Sequence, residues 1–293
     1  MNPSFRIVAV QAKPISLHEA HYNFAEAVDQ QLAEAPGTSM LVYPELHLFH
    51  APAEEDEARA SELRGSAIAL NAPLITEFAE IARKNGIWFI PGSIVEQGPG
   101  DVIYNTALVF NPEGSIVAKY RKMFPWRPFE PYTPGTEFVV FDVPEIGRFG
   151  ISICYDAWFP EVSRQLGWLG ADIVINVVKT TTPDRAQEII LARANSIVNQ
   201  TFTVSVNTAG PIGFGHSLSV GPEGEIIDEL PGTAEGVIVT DFIRESVDRV
   251  RDVGTAGTNR MWDQFREGDP VIPLPLYQGR IDPKTWAPAR VTP

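Results

Sequence analysis

Two segments of the chain share one sequence pattern, and this repetition limits the folds that the chain can adopt. Residues 105–120, NTALVFNPEGSIVAKY, and residues 215–230, GHSLSVGPEGEIIDEL, each place a Pro-Glu-Gly turn between two apolar runs. A turn with an early proline and a late glycine between alternating runs is typical of a β-hairpin. The repetition therefore predicts two halves of similar architecture.

The other apolar runs predict strands that alternate with helices. Before the first hairpin the predicted order is strand, helix, strand, helix, strand, in the runs 5–11, 18–35, 39–50, 73–86 and 87–96. Between the hairpins, residues 149–170 predict a strand, an abrupt turn and a helix. Residues 171–178 then predict a strand, residues 185–200 a helix and residues 201–206 a strand. Helices outside two mixed sheets would bury all of these apolar faces. The sequence thus predicts an α/β fold, a four-layer α-β-β-α sandwich.

The charge of the chain favours a small molecule as its partner. The 293 residues carry a formal net charge of -14, and no cluster of lysine and arginine interrupts the acidic background. This balance argues against nucleic acid and anionic membranes as partners. The opening residues, MNPSFRIVAVQAKP, lack a basic region followed by a long apolar stretch. We therefore expect no secretion signal and a cytoplasmic protein.

The last part of the chain differs in composition from the rest. We expect an α-β-β-α domain over residues 1–262 and an arm over residues 263–293, which is proline-rich and without a period. The arm nevertheless contains the apolar residues Val271, Ile272, Leu274, Leu276, Tyr277 and Trp286. A flexible tail rarely carries so much apolar surface, so we expect the arm to pack on the body or on a partner subunit. A homodimer or larger homo-oligomer is the expected assembly, with the helices Pro160–Leu169 and Ala186–Gln200 at the contact.

Cys154 is the single cysteine, which excludes an internal disulfide and a cysteine-rich zinc site. A lone cysteine is commonly buried as a small hydrophobe. Cys154, however, ends the strand run GISIC and precedes Pro160, which suits the first turn of a helix. A side chain on a strand-to-helix turn is presented at the end of a sheet, where backbone N–H groups can stabilise an oxyanion. This position favours a nucleophile, although no histidine is identified as its partner by spacing.

Glu45 and Lys122 are further candidates because each follows a predicted strand at a proline-marked loop. Glu45 lies in YPEL, and Lys122 lies in the segment 120–135, YRKMFPWRPFEPYTPG, which contains four prolines. Proline fixes its own φ and pushes the preceding residue toward extended geometry, so this segment is predicted to be a stiff loop. A carboxylate, an ammonium and a thiol, each at a strand end, form a possible reactive set.

The order of Glu45 in YPEL, Lys122 in YRK and Cys154 in ICYDAWFPE resembles the nitrilase superfamily of carbon–nitrogen hydrolases. The resemblance runs from VAVQ to TDFIRESV and includes GHSLSVGPEGEII. That superfamily uses a Glu-Lys-Cys set on an α-β-β-α sandwich. The loop 120–135 is similar to the loop of aliphatic amidases and formamidases, and Tyr155-Asp156 stands where true nitrilases usually have Trp-Glu. The resemblance implies an amide substrate, and it implies that Glu130 orients Lys122 and the substrate amide.

Elementary chemistry gives each group of this set a role. An amide carbonyl is a poor electrophile, so hydrolysis needs a nucleophile, a donor for the oxyanion and a proton for the leaving amine. Glu45 would take the proton of Cys154, deliver it to ammonia and then activate the water that hydrolyses a thioester. Lys122 and the backbone N–H of Tyr155 would hold the oxyanion. Trp126 and Tyr155 are the expected substrate-binding walls, and no cofactor is required.

Several alternatives remain open from the sequence. An N-carbamoyl compound or a nitrile could be hydrolysed by the same residues, and a non-catalytic binding protein could keep the same fold. The pairs His47/His50 and His18/His21 have spacings that can serve a metal. No third ligand set with zinc-like spacing accompanies either pair, so we predict no metal site.

Overall fold

The strands carry apolar side chains on both faces, so each face needs a cover. In strand β1, Phe5–Gln11, Ile7 and Ala9 belong to one hydrophobic core, whereas Val8 and Val10 belong to another. This division follows from the two-residue period of a strand. The first core lies between two sheets and the second lies between a sheet and helices, so the predicted α-β-β-α sandwich is confirmed.

The computed structural model describes residues 5–19, 23–273 and 279–280. Over these ranges the remaining strands are β2 (Met40–Val42), β3 (Trp88–Ile90), β4 (Ser93–Gln97), β5 (Ile103–Phe110), β6 (Ile116–Arg121), β7 (Val139–Val143), β8 (Gly147–Ile153), β9 (Ile173–Val178), β10 (Phe202–Asn207), β11 (Leu218–Val220), β12 (Ile226–Glu229) and β13 (Gly236–Phe242). The α-helices are α1 (Phe24–Glu34), α2 (Asp56–Gly65), α3 (Pro73–Asn85), α4 (Pro160–Trp168), α5 (Arg185–Asn199) and α6 (Arg244–Val253). Short 3-10 helices occupy Cys154–Trp158 and Met261–Asp263.

Both sheets combine parallel and antiparallel strands. The seven-stranded sheet has the order β13-β1-β2-β3-β5-β4, with β6 also paired to β5, and the six-stranded sheet has the order β12-β11-β10-β9-β8-β7. Strands β1, β2 and β3 are parallel to each other, as are β8, β9 and β10. The other pairs are antiparallel. Ligands of such sheets usually bind beyond the carboxyl ends of the parallel strands.

Each sheet contains one of the two predicted hairpins. Strand β5 pairs with β6 in the first sheet, and β11 pairs with β12 in the second. At the turns Gly114 and Gly224 have φ angles of 76° and 82°, in the left-handed region that glycine adopts without steric cost. The sequence repeat therefore marks corresponding parts of the two halves.

The helices cover the outer faces of the sheets. On the first sheet, the ring of Phe24 from α1 lies 5.8 Å from that of Phe78 from α3, and both contact Phe89 of β3. On the second sheet, Leu166 of α4 clusters with Val174 of β9. None of the helices in the described ranges is long and apolar enough to cross a membrane.

Three elements differ from the expectation. Helix α1 begins at Phe24 rather than near residue 18, because the Asn23 side chain accepts the N–H of Glu26 at 3.2 Å and caps the helix. Helix α2 was not predicted, since Leu63 is its one fully buried residue and gives no apolar period. The run 87–96 is divided into β3 and β4, and the first two residues of the segment 120–135 belong to β6.

The described part of the predicted arm is largely exposed in the single chain. Phe265, Val271 and Ile272 are 67%, 93% and 62% exposed. Just before the arm, the ring of Trp262 lies 5.8 Å from that of Trp168 at the end of α4. Residues 274–278 and 281–293, which include Leu274, Leu276, Tyr277 and Trp286, lie outside the described residues.

Candidate active site

Glu45 lies three residues after β2 on a segment held by the neighbouring strands. The N–H of Tyr43 donates to the carbonyl of Ile90 at 2.9 Å, and the N–H of Leu46 donates to Ser93 Oγ at 3.0 Å. Both bonds fix the backbone on either side of Glu45, whose side chain is 1% exposed. The position of this carboxylate is therefore set by the sheet.

Gly92 permits this segment to approach β4. Its φ is 89°, and a Cβ at this position would lie 1.9 Å from the carbonyl oxygen of Pro44. Such a distance is far below a van der Waals contact, so any other residue would displace Pro44 and the adjacent Glu45. The glycine of the PG pair after β3 is thus part of the support of the site.

Lys122 follows β6 and is completely buried. Its Nζ donates to Glu45 Oε1 at 3.0 Å and to Glu130 Oε1 at 2.9 Å. Glu130 also accepts the backbone N–H of Trp126 at 2.7 Å through Oε2. The Nδ2 of Asn105 donates to Glu45 Oε1 at 2.7 Å. The ammonium is thus held between two carboxylates, and Asn105 fixes the orientation of one of them.

The electrostatics of this cluster keep Lys122 charged. Burial alone would lower the pKa of Lys122, but the carboxylates of Glu130 and Glu45 outweigh it and raise that pKa well above its usual range. Burial also raises the pKa of Glu130, with Lys122 acting in the opposite direction. At neutral pH Lys122 is therefore a fixed cation inside the site.

Cys154 lies directly after β8, on the short 3-10 helix that leads into α4. Its φ is 47°, an uncommon left-handed conformation for a residue with a side chain. Such a conformation persists only where the surroundings impose it. Asp156 supplies this restraint, because its buried carboxylate accepts hydrogen bonds from the Ile153 N–H at 3.0 Å, the Phe124 N–H at 2.9 Å and the Tyr120 hydroxyl at 2.7 Å. It joins the cysteine turn to the loop that carries Lys122.

The thiol of Cys154 interacts with the same charges. Burial raises its pKa well above the usual range, the Glu45 carboxylate raises it further, and Lys122 opposes both effects. Sγ lies 3.8 Å from Thr180 Oγ1. The Thr180 hydroxyl donates to Glu188, at 2.7 Å from Oε2, and Glu188 forms an ion pair with the buried Arg185 at 3.0 Å. The cysteine is thus protonated at rest and needs a base to become a nucleophile.

A cavity opens at Cys154. Trp126, Glu130 and Tyr155 of the predicted set line it, together with residues 179–182, Asp184 and Glu188. Glu45 and Lys122 lie behind this surface, joined to Glu130 by the ion pairs described above. The structure therefore brings all six predicted site residues to one place.

Several residues of the site were not identified from the sequence. They are Asn105, Lys179, Thr180, Arg185 and Glu188. Lys179 and Thr180 follow β9 directly, as Cys154 follows β8, and β8 and β9 are parallel neighbours. Their position directly after a buried apolar run was the sequence signal that could have identified Lys179 and Thr180 as site residues. Asn105 and Glu188 gave none, since they lie within a strand and a helix.

The histidines do not form a metal centre within the described ranges. No group of three or more histidine, cysteine, aspartate or glutamate side chains suited to a metal occurs there. His47 is buried, which lowers its pKa to about 3, and His18 lies 3.5 Å from Glu62 near the surface. His21 lies outside the described residues.

The fold and the site define the class of this protein. A family model described as carbon-nitrogen hydrolase matches residues 6–252, and the chain belongs to that family. The resemblance to the nitrilase superfamily seen in the sequence is confirmed.

Individual relatives agree with this assignment. The formamidase of Photorhabdus laumondii subsp. laumondii is 28% identical over 76% of this chain and 69% of its own length. Nit3 of Saccharomyces cerevisiae, a member of branch 10 of the nitrilase superfamily, superposes with a TM-score of 0.74 at 27% identity, over 85% of this chain and 93% of Nit3. The NitN amidase of Nesterenkonia sp. AN1 superposes with a TM-score of 0.71 at 25% identity, over 85% of this chain and 96% of that chain.

The restraint by Asp156 generates a prediction. Asp156→Asn replaces one acceptor oxygen by a donor NH2, so one buried donor loses its partner, and we expect the free energy of unfolding to fall by about 1–3 kcal/mol. We also expect a changed rate of Cys154 alkylation by iodoacetamide, because the turn is no longer fixed. Urea denaturation and the alkylation rate measure the two effects. Asp142→Asn, on an exposed carboxylate that binds Arg148, is the matched control. Equal behaviour of the two variants would contradict the role of Asp156.

Proposed function

We propose that this protein is an amidase that hydrolyses a small primary amide to a carboxylic acid and ammonia through a thioester on Cys154. The observation that carries this proposal is the buried Lys122 ammonium, held at 2.9–3.0 Å between Glu45 and Glu130 beside the single cysteine. The formamidase and amidase names of the relatives support the choice of an amide.

Glu45 is proposed as the general base. In the described part of the chain, both hydrogen bonds of its carboxylate, from Lys122 and Asn105, go to Oε1. Oε2 is therefore the oxygen available to the reacting groups. Because the resting thiol of Cys154 is protonated, proton transfer to Glu45 would accompany attack of Sγ on the amide carbonyl carbon.

Lys122 is proposed to stabilise the oxyanion. Two of its three ammonium hydrogens are engaged by Glu45 and Glu130, which leaves the third for the substrate oxygen. The backbone N–H of Tyr155, the residue after the nucleophile, would supply a second donor. Both donors are fixed before the substrate arrives, so little reorganisation is needed in the transition state.

The remaining steps return the enzyme to its resting state. Collapse of the tetrahedral intermediate breaks the C–N bond, and protonated Glu45 gives its proton to the departing nitrogen, which leaves as ammonia. A water molecule then loses a proton to Glu45 and attacks the thioester carbonyl. The C–S bond breaks, the carboxylic acid leaves, and the proton returns to Cys154.

Glu130 is proposed to position both Lys122 and the substrate. Its carboxylate binds Lys122 and the N–H of Trp126, and it also lines the cavity. It can thus accept a hydrogen bond from the amide NH2 of a bound substrate. Trp126 and Tyr155 would form the walls on either side.

A substrate panel tests the proposed function. We expect ammonia from butyramide at a kcat/KM about ten- to hundredfold above that for methylamine release from N-methylbutyramide, since a carboxylate left without a donor costs about 1–3 kcal/mol. Butyronitrile and N-carbamoyl-β-alanine represent the two alternative substrate classes, and the second would release carbon dioxide with ammonia. Faster turnover of either of these compounds would replace the amidase proposal, and no turnover of the panel would favour a non-catalytic role.

The thioester generates its own prediction. Hydroxylamine added during butyramide hydrolysis should yield butyrohydroxamate, because it competes with water for the acyl group on Cys154. Cys154→Ala should abolish both products while the unfolding midpoint changes little, since the side chain is small. Mass spectrometry and ammonia assays measure these effects. Direct attack of water would instead give no hydroxamate, and residual turnover of a few per cent in the alanine variant would assign the nucleophile elsewhere.

We propose a homodimer in which the outer face of α4 and α5 forms the contact. Large apolar side chains are exposed there, with Trp168 71%, Ile190 66% and Ile197 47% exposed. Trp262, just before the arm over residues 263–293, contacts Trp168 at this face, and the arm is proposed to cover the face in the assembly. Large exposed apolar patches are typical of interfaces.

This interface can be tested by one charge substitution. Ile190→Glu should shift the species seen by multi-angle light scattering at micromolar concentration from dimer or larger to monomer, because it places a charge within an apolar contact. Val253→Glu, at a residue that is 50% exposed on α6, is the control and should not change the mass. A monomeric parent protein would refute the proposal.

A further inference from the structure

Lys179 is a cation of the cavity that the reaction described above does not use. It is half-buried directly after β9 and lines the cavity together with Cys154 and Glu130. A lysine at this depth loses much of its hydration, which makes its presence costly unless a partner compensates. The groups around Lys179 therefore indicate whether the protein itself supplies such a partner.

Within the described part of the chain, the hydrogen-bond partner of the Lys179 ammonium is a neutral side chain. Its Nζ lies 3.4 Å from His50 Nδ1. Burial and the nearby Lys179 lower the pKa of His50 to about 4, so this ring is neutral at pH 7 and accepts the hydrogen bond. Lys179 forms no ion pair within 4.0 Å among residues 5–19, 23–273 and 279–280.

The carboxylates of the cavity already have partners in the protein. Glu130 is paired with Lys122, Glu188 is paired with Arg185, and Asp184 accepts the Thr182 hydroxyl. Each is thereby held by groups other than Lys179. Among the described residues, the Lys179 ammonium is thus a charged donor at the cavity that has no carboxylate within ion-pair distance.

We propose that Lys179 binds a carboxylate on the acyl end of the substrate, so that the preferred substrate is the monoamide of a short dicarboxylic acid. This inference rests on the proposed amidase function and specifies its substrate class. Cys154 and Lys179 follow neighbouring parallel strands, which lie about 4.8 Å apart. An amide bound at Cys154 and a carboxylate bound at Lys179 would therefore be joined by a short linker.

Three amides that differ in one terminal group test the charge preference. Butyramide, succinamate and β-alaninamide place a methyl, a carboxylate and an ammonium group at the same position. We expect kcat/KM for succinamate to exceed that for butyramide about tenfold or more, because a hydrogen bond to a charged group replaces an apolar contact. We expect β-alaninamide to be the poorest of the three. A preference for β-alaninamide would show that Asp184 and the other carboxylates dominate, and would overturn the proposal.

Substitution of Lys179 separates its effect from the net charge of the protein. Lys179→Met should reduce the ratio of kcat/KM for succinamate to that for butyramide to about one or below, whereas Lys179→Arg should retain a ratio above one. Lys84→Met is the matched control, since Lys84 is 63% exposed and pairs with Asp29 away from the cavity. It removes the same charge and should leave the ratio unchanged. An unchanged ratio in Lys179→Met would overturn the proposal.

The pH dependence of the same ratio gives an independent signature. Burial lowers the pKa of Lys179 to about 8, although the carboxylates of Glu45 and Glu130 favour its charged form and Arg59 opposes it. Lys179 is therefore charged below pH 8 and loses its proton above. The ratio should be nearly constant below about pH 7, fall between about pH 7 and 9 and reach half of its drop near pH 8. Titrations of the reacting groups affect both substrates and cancel in the ratio. In Lys179→Arg the ratio should stay flat, and a fall of equal size there would contradict the role of Lys179.

A readout without turnover distinguishes failure of this inference from failure of the proposed function. Because Cys154 is the single cysteine, its alkylation by iodoacetamide reports directly on occupation of the cavity. Succinate should protect Cys154 at a concentration at least tenfold below that needed for butyrate, and Lys179→Met should remove the difference. If butyramide is hydrolysed but succinate protects no better than butyrate, the Lys179 inference fails and the amidase stands. If no amide is hydrolysed, protection by succinate still decides whether Lys179 binds a carboxylate.

Discussion

The ion pairs of Lys122 are the interaction on which the site depends. Burying an ammonium or a carboxylate alone costs several kcal/mol, and geometry with further hydrogen bonds must compensate for it. Lys122 meets this condition through Glu45 and Glu130, at 2.9–3.0 Å, and Asn105 satisfies Glu45 further. Loss of the Lys122 ammonium would leave the carboxylates of Glu45 and Glu130 without their ion-pair partner. The loop 120–135 is therefore held in place by its chemistry as well as by its four prolines.

The sandwich brings groups from both sheets to one cavity. Glu45 and Lys122 follow strands of the first sheet, whereas Cys154 and Lys179 follow adjacent parallel strands of the second. Asp156 joins the two sides, since it binds Phe124 near Lys122 and Ile153 before Cys154. A rigid body with several converging strand ends allows a base, a cation and a nucleophile to be fixed independently. The proposed reaction uses this arrangement because each group acts at a different atom of the amide.

The fold was predictable where local chemistry was unambiguous. The two Pro-Glu-Gly turns identified the hairpins, and Pro160 marked the start of α4 as expected. Helix α2 was not predicted, because it lies on the surface with Leu63 as its one fully buried side chain and its sequence has no apolar period. Helix α1 begins later than expected because Asn23 caps it. Helix ends and surface helices depend on single hydrogen bonds that composition does not reveal.

The sequence by itself determined which residues were proposed as the reactive set of this protein. One cysteine leaves one thiol, and Glu45 and Lys122 were candidates from their loops because proline and strand patterns are local, whereas Glu130 was added by the family resemblance. Only the tertiary structure decided what surrounds them. Asn105 beside Glu45, Glu188 beside Thr180 and Lys179 beside His50 are contacts between residues 8 to 129 positions apart. Such contacts depend on strand order and register, which arise from the packing of the two sheets as a whole, and so no local pattern records them.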